Sequence, residues 1–181
     1  MKYTQAIISF ILLAVLLASC KDKEDKQEGK EDSQISVNYY QPFTLYLNSN
    51  DELKMQKNEQ GFKFDSNKMI LFTFFTDACT PCEVQNGYLK SFASKYKDNL
   101  RVIGVVLEDH DKNSIKGLAN KLNIDFELSY GDNNYFFAKA ANSELSGIPF
   151  SILYDKNGNF LRSYDGLTPP EMMQSDIKRG L

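Results

Sequence analysis

The stretch Met69–Val84, MILFTFFTDACTPCEV, decides how this chain is read. Its opening run, Met69 to Thr76, is apolar on both alternating faces, the pattern of a strand buried on two sides within a sheet. Two cysteines follow at once, Cys79 and Cys82, separated by Thr80 and Pro81. Proline suits the first turn of a helix, where its missing N–H has no partner to lose. Pro81 is therefore expected to open a helix running to about Lys97, with Val84, Tyr88, Leu89, Phe92 and Tyr96 spaced by three and four along its apolar face. At such a strand-to-helix junction, free backbone N–H groups and the positive end of the helix dipole favour a thiolate at Cys79. Cys82, one turn further, lies within disulfide reach. Cys79 can then attack a disulfide in a partner and Cys82 can resolve the mixed disulfide. The C-x-x-C pattern by itself leaves a redox pair, half of a metal site and a structural staple all open.

Outward from this centre, the 181 residues hold about one domain of ordinary size. A hydrophobic fraction of 42% supplies a full core. The net charge of −3 gives no basic surface for nucleic acid, so none is expected as a partner. At the N-terminus, Lys2 precedes the apolar run AIISFILLAVLLA, which has the length of a secretory signal core and is too short to span a bilayer comfortably. It ends in LASC, Leu17 to Cys20, which resembles the lipobox of bacterial lipoprotein signal peptides. That resemblance implies cleavage after residue 19 and acylation of Cys20, leaving a protein anchored to a membrane but not spanning it. Cys79 and Cys82 are then the only thiols of an exported chain. Residues 20–38 comprise the lipidated cysteine and a charged stretch with four lysines and six acids, expected to be a disordered tether.

The folded domain is expected over residues 39–181. FTLYLN alternates as a strand and DELKMQ is its hairpin partner; NEQGFKFDSN supplies turn residues before the central strand. Beyond the cysteine helix come a buried strand in LRVIGVVLE, a helix around NSIKGLANKLN, a short strand near DFELSY and a helix at NYFFAKAAN. The segment SELSGIP leads into two strands around an Asn157-Gly158 turn, and a last helix opens at Thr168 and Pro169. This order predicts an α/β fold with a central mixed sheet flanked by helices.

The central stretch, together with SGIPFSILYDKNGNFL downstream, resembles the thioredoxin superfamily, and within it the exported, membrane-tethered TlpA/ResA-like thiol-disulfide oxidoreductases. The resemblance covers essentially all of residues 39–181, and the N-terminal hairpin and the long separation between Cys82 and Pro149 fit the TlpA/ResA subgroup. It implies a thioredoxin-like fold, an enzyme that exchanges disulfides through Cys79 and Cys82, and no cofactor or metal. It also implies a cis proline at Pro149, with the backbone of Ile148 docking an extended substrate peptide, and a potential tuned by Thr80 and Pro81. The implied partners are disulfide-containing exported proteins, with a membrane thiol reductase as electron donor. A role in cytochrome c maturation follows by the same analogy.

Several positions depart from the family pattern. Ala78 stands where tryptophan is usual, and Gly87 where a helix-kinking proline is common. Thr73 takes the place of thioredoxin's buried aspartate, and Gln85 that of a glutamate frequent in the TlpA/ResA group. A carboxylate at either of the last two positions would help take a proton from the resolving cysteine. Asp77 and Glu83, flanking the pair, are the candidates to replace it.

Two rival readings follow from the same residues. A copper-binding metallochaperone of this fold uses C-x-x-x-C with a distal histidine; the spacing here is one residue short, and the lone His110 sits in the polar stretch EDHDKN, expected to be surface loop. A peroxiredoxin-like peroxidase would place Thr76 three residues before its cysteine, as here, but its upstream proline falls on Phe72. Met172 and Met173 are expected to pack into the core.

Overall fold

The computed structural model describes residues 37–142 and 147–181. The signal segment, Cys20, most of the tether and part of SELSGIP lie outside the described residues. The chain forms β1 Phe43–Leu47, β2 Glu52–Lys57, β3 Phe62–Phe64, β4 Met69–Phe75, α1 Thr80–Lys95, β5 Leu100–Val106, α2 Ser114–Lys121, β6 Glu127–Tyr130, α3 Asn133–Ala141, β7 Phe150–Tyr154, β8 Phe160–Asp165 and α4 Pro170–Gly180. The strands make one mixed sheet in the order β3-β2-β1-β6-β5-β4-β7-β8. β5 runs parallel to both β4 and β6, and the remaining pairs are antiparallel. This is the expected α/β architecture, with β4 near the middle and every one of its residues buried.

The period of two in β4 divides the core between the two faces of the sheet. Leu71 and Phe75 face a cluster with Leu89 and Phe92 of α1, Ile115 of α2, and Met173 and Ile177 of α4. Ile70, Phe72 and Phe74 face the other cluster, built around Phe137 of α3 and closed by Leu45, Leu53 and Phe62 of the N-terminal strands. The Phe137 ring lies 4.7 Å from that of Phe72 and 5.2 Å from that of Phe62. Each such fully buried ring contributes about 1.5–3 kcal/mol, so α3 is held chiefly by this aromatic group.

Three local expectations need correction. GFKF is not only turn: Phe62–Phe64 form β3, because Phe62 fills the second core while Lys63 faces water. Val84 is exposed, and the buried face of α1 is instead Cys82, Gln85, Asn86, Leu89 and Phe92; the helix axis turns the polar Gln85 and Asn86 inward. Met173 is buried, but Met172 is half-exposed, since neighbouring helix positions cannot share a face. The β7–β8 connection spans residues 155–159, and Asp155 organises it by accepting the N–H groups of Asn157 at 2.8 Å and Asn159 at 2.9 Å. Partial burial pushes the Asp155 carboxyl up, but these bonds outweigh it and hold the group below its ordinary value.

That connection meets the β2–β3 turn. Phe62 N–H donates to Gly158 O at 2.9 Å and Phe160 N–H to Gln60 O at 2.8 Å. Gly158 has φ 85°, and a Cβ there would stand 1.7 Å from the Phe62 carbonyl oxygen. Only glycine permits this contact between the ends of the two edge strands.

Candidate active site

Parallel β4 and β5 end side by side, with Phe75 opposite Val106, so the segments that follow them leave the sheet at one edge. The segment after β4 carries the cysteines. Cys79 is the N-cap of α1, with extended backbone, and Pro81 occupies the first turn. The N–H of Cys82 donates to the Cys79 sulfur at 3.3 Å. The same N–H donates to the Cys79 carbonyl oxygen at 2.9 Å, so it is shared between the backbone and the sulfur at the start of the helix. Cys79 and Cys82 are joined in a disulfide, their Cα atoms 5.2 Å apart, and both are nearly buried, at 6% and 2% exposure. Thr80 and Pro81 are exposed between them.

Pro149 follows a cis peptide bond from Ile148. Antiparallel pairing of β7 with β4 sets Phe150 opposite Phe74, which brings Pro149 to the end of β4 from which the cysteine segment departs. Ile148, partly buried, packs against the apolar cluster that contains both cysteines. Pro149 itself is buried, and its carbonyl accepts the N–H of Gly166 at 2.8 Å. Of the two residues named from the sequence as the docking pair, Ile148 packs on the cluster that holds the dithiol, and Pro149 follows it through the cis bond.

Beneath α1 lies a polar group without a charge. Gln85 is fully buried; its amide donates to Ser151 Oγ at 2.9 Å and to Thr73 Oγ1 at 3.4 Å, while its Oε1 accepts the N–H of Thr168 at 3.4 Å. Thr73 and Ser151 are register partners on β4 and β7, so their hydroxyls project from the same face. The two positions where the family resemblance points to carboxylates are thus parts of one neutral hydrogen-bonded unit. Tyr88, a turn further along α1, donates to Thr168 O at 2.5 Å and ties the same loop to the helix.

The charged groups gather on the other side of the cysteine segment. Asp77 N–H donates to Glu108 Oε2 at 2.5 Å, and Asp77 Oδ1 lies 2.9 Å from His110 Nε2. His110 Nδ1 lies 3.2 Å from Ser114 Oγ at the start of α2. Partial burial pushes the Asp77 carboxyl up, but the hydrogen bonds with Glu108 and His110 and the charges of His110 and Lys121 hold it below its usual range. Glu108 is displaced the opposite way, raised by burial and then by its contact with the Asp77 carboxylate. Asp77 is therefore the member of the pair that ionises first. Glu83, the other acid named from the sequence, is exposed in the first turn of α1.

His110 is a correction to the sequence reading. Its side chain is only 13% exposed and is bonded at both ring nitrogens, not a free loop side chain. The signal was available in the two strands: if β4 and β5 are parallel neighbours, the residues just beyond each end meet. The ligand-type atoms of Asp77, Glu108 and His110 lie within 4.8 Å of one another, the single such group among the described residues, and it contains neither cysteine. The copper-carrier reading, which needs cysteine and histidine together, gains nothing from it.

The AhpC/TSA family model matches residues 41–178. No curated protein matches the sequence significantly. Among solved structures, the chain is similar to a thiol-disulfide oxidoreductase from Bacteroides fragilis, at 19% identity and TM-score 0.56, covering 80% of this chain and 100% of that one. A thioredoxin-like protein from Porphyromonas gingivalis matches at 21% identity and TM-score 0.56, covering 79% and 93%. A secreted disulfide oxidoreductase of Mycobacterium tuberculosis matches at 14% and 0.55, covering 76% and 95%. At these identities the likeness establishes the thioredoxin-like fold, in agreement with the strand order and the placement of the cysteines.

Proposed function

The chain belongs to the AhpC/TSA family, and from that premise we propose that it is an extracytoplasmic thiol-disulfide oxidoreductase, anchored by acylated Cys20 and reducing disulfides of exported proteins. The observation that carries this reading is the Cys79–Cys82 disulfide at the N-terminus of α1, with Cys79 as N-cap and Ile148, before the cis Pro149, packed on the same apolar cluster. Similarity to structures described as thiol-disulfide and disulfide oxidoreductases, one of them secreted, supports the chemistry and the compartment.

In the reduced protein, the Cys79 thiolate attacks one sulfur of a partner disulfide, forming a mixed disulfide and releasing the other partner sulfur as a thiolate. Cys82, deprotonated, then attacks the Cys79 sulfur; the Cys79–Cys82 bond forms and the partner leaves as a dithiol. Two electrons pass from the protein to its client, and a membrane thiol reductase returns them. Ile148 and Pro149 dock the client as an extended peptide, Thr80 and Pro81 tune the potential, and Asp77 or Glu83 handles the proton of the cysteine pair. Apocytochrome c is the client that the family resemblance favours.

Replacement of Cys82 by serine tests the reaction. C82S is expected to abolish turnover and to accumulate a mixed disulfide through Cys79 with a disulfide-containing peptide. Failure to form that adduct while Cys79 remains open to alkylation would remove the enzyme reading. The potential of the couple against glutathione tests direction: a value well below about −200 mV fits a reductase, whereas one near about −120 mV reverses the flow.

A further inference from the structure

Buried polarity around Gln85 is neutral, so the charge that the Cys79 thiolate meets comes from the other side of its segment. Asp77 precedes Cys79 by two residues, which puts their Cα atoms at most about 7.6 Å apart, within a Debye length at physiological salt. A free carboxylate at that range disfavours a thiolate. Asp77, however, is not free. Its N–H is fixed by Glu108 and its Oδ1 by His110, whose ring is held from behind by Ser114 at the start of α2.

We propose that His110 is a positioning residue of the redox site: by binding the Asp77 carboxylate it fixes and offsets the negative charge beside Cys79, and so sets how readily Cys79 reacts. The inference rests on the reading of Cys79 as the attacking sulfur. His110 touches neither cysteine in this role; it acts through Asp77. Its position ties the segment that carries the cysteines to the β5–α2 connection, 33 residues away in sequence, alongside the bond from Asp77 N–H to Glu108. The geometry suits both protonation states: the Nε2–H donates to Asp77, and Nδ1 either accepts from the Ser114 hydroxyl or, when protonated, donates to it.

The surrounding charges fix the sign. Asp77 and Glu108 contact the cluster directly, Asp111 and Lys121 act on it through space from the β5–α2 connection and α2, and Asp109 and Asp132 lie with Glu108 around the cleft next to it. Acids outnumber bases, so the imidazole held on the Asp77 carboxylate offsets part of a negative field.

The test measures iodoacetamide alkylation of reduced full-length protein from pH 5 to 9 in the wild type, H110Q, D77N and the double variant, with Cys82 replaced by serine in all four. H110Q is expected to react about threefold to tenfold more slowly near pH 7. D77N is expected to react faster than the wild type, and H110Q is expected to have no further effect in the D77N background. An equal H110Q effect with and without Asp77, or none in either, overturns the proposal. Thermal melts of the four proteins show whether a loss of rate is a loss of fold, and the D77N comparison carries the test even if H110Q is unstable. Insulin reduction by the protein with both cysteines separates the two ideas: active protein whose alkylation rate H110Q leaves unmoved removes only the role of His110, whereas inactive protein removes the function itself.

Discussion

The two sides of the cysteine segment are built from opposite materials. On the core side, Thr73, Gln85, Ser151 and Thr168 form a buried, uncharged unit in which the amide of Gln85 serves three partners. On the outer side, Asp77, Glu108 and His110 form a charged group that remains partly open to water. The first is costly to disturb because water cannot replace a lost partner; the second is cheap to disturb in stability but acts over distance on a thiolate. The difference assigns the inner unit to holding α1 on the sheet and the outer group to setting the charge around Cys79.

Breaking the inner unit gives the largest expected effect. Gln85→Leu leaves the Thr168 N–H without its acceptor and two buried hydroxyls without their donor. The loss is expected to be about 2–4 kcal/mol of stability, read as a lowered midpoint of denaturant unfolding. A loss below about 0.5 kcal/mol would mean that the unit is dispensable. Gln85→Glu sharpens the same point through pH. A carboxyl in this buried place has its folded pKa raised above its unfolded value, so the protonated form is favoured in the folded protein and stability falls as pH rises through that interval. Q85E is expected to approach wild-type stability near pH 4 and to lie about 1–3 kcal/mol below it by pH 8. A deficit independent of pH would show that the site admits water enough to solvate the charge.

The sequence carried the inner half of this picture more fully than the outer. The continuous apolar run of β4, the alternation of β1 and β2, and proline after the first cysteine are local signals, and each produced its element. The strand-to-helix position of Cys79 and the placement of Pro149 followed from the same signals and the family resemblance. What escaped was set by contacts between distant segments. Val84 fits an apolar helical stripe by spacing, yet Gln85 faces inward because Thr73 and Ser151 offer hydroxyls from two other strands, and Asn86 is buried beside it. β3 was hidden in a turn-rich stretch because only pairing with β2, and the glycine contact at Gly158, turns three residues into a strand. His110 looked like a loop residue because its partner lies 33 positions away and becomes adjacent only through the parallel pairing of β4 and β5.

The smallest expected effect is the acid dependence of the outer group, where two opposed shifts meet. Asp77 has a folded pKa below its ordinary value; such a group contributes stability that is present above the unfolded pKa and lost as pH falls through the folded one. Glu108 has a folded pKa above its ordinary value; its contribution is present at low pH and lost as pH rises through the folded value. The two act in opposite directions, so the wild type is expected to show less acid dependence from this group than an unopposed Asp77 would give. Asp77→Asn uncouples them. It removes the stabilising limb, and it also removes the carboxylate that helps to raise Glu108, so the destabilising limb shrinks with it. D77N is therefore expected to change stability by less than about 1 kcal/mol at any pH between 3 and 7, even while it alters the alkylation of Cys79 severalfold. A loss of several kcal/mol on this single substitution, measured by urea unfolding across that range, would mean that the outer group supports the fold as the inner one does, and the division of labour between the two sides would not stand.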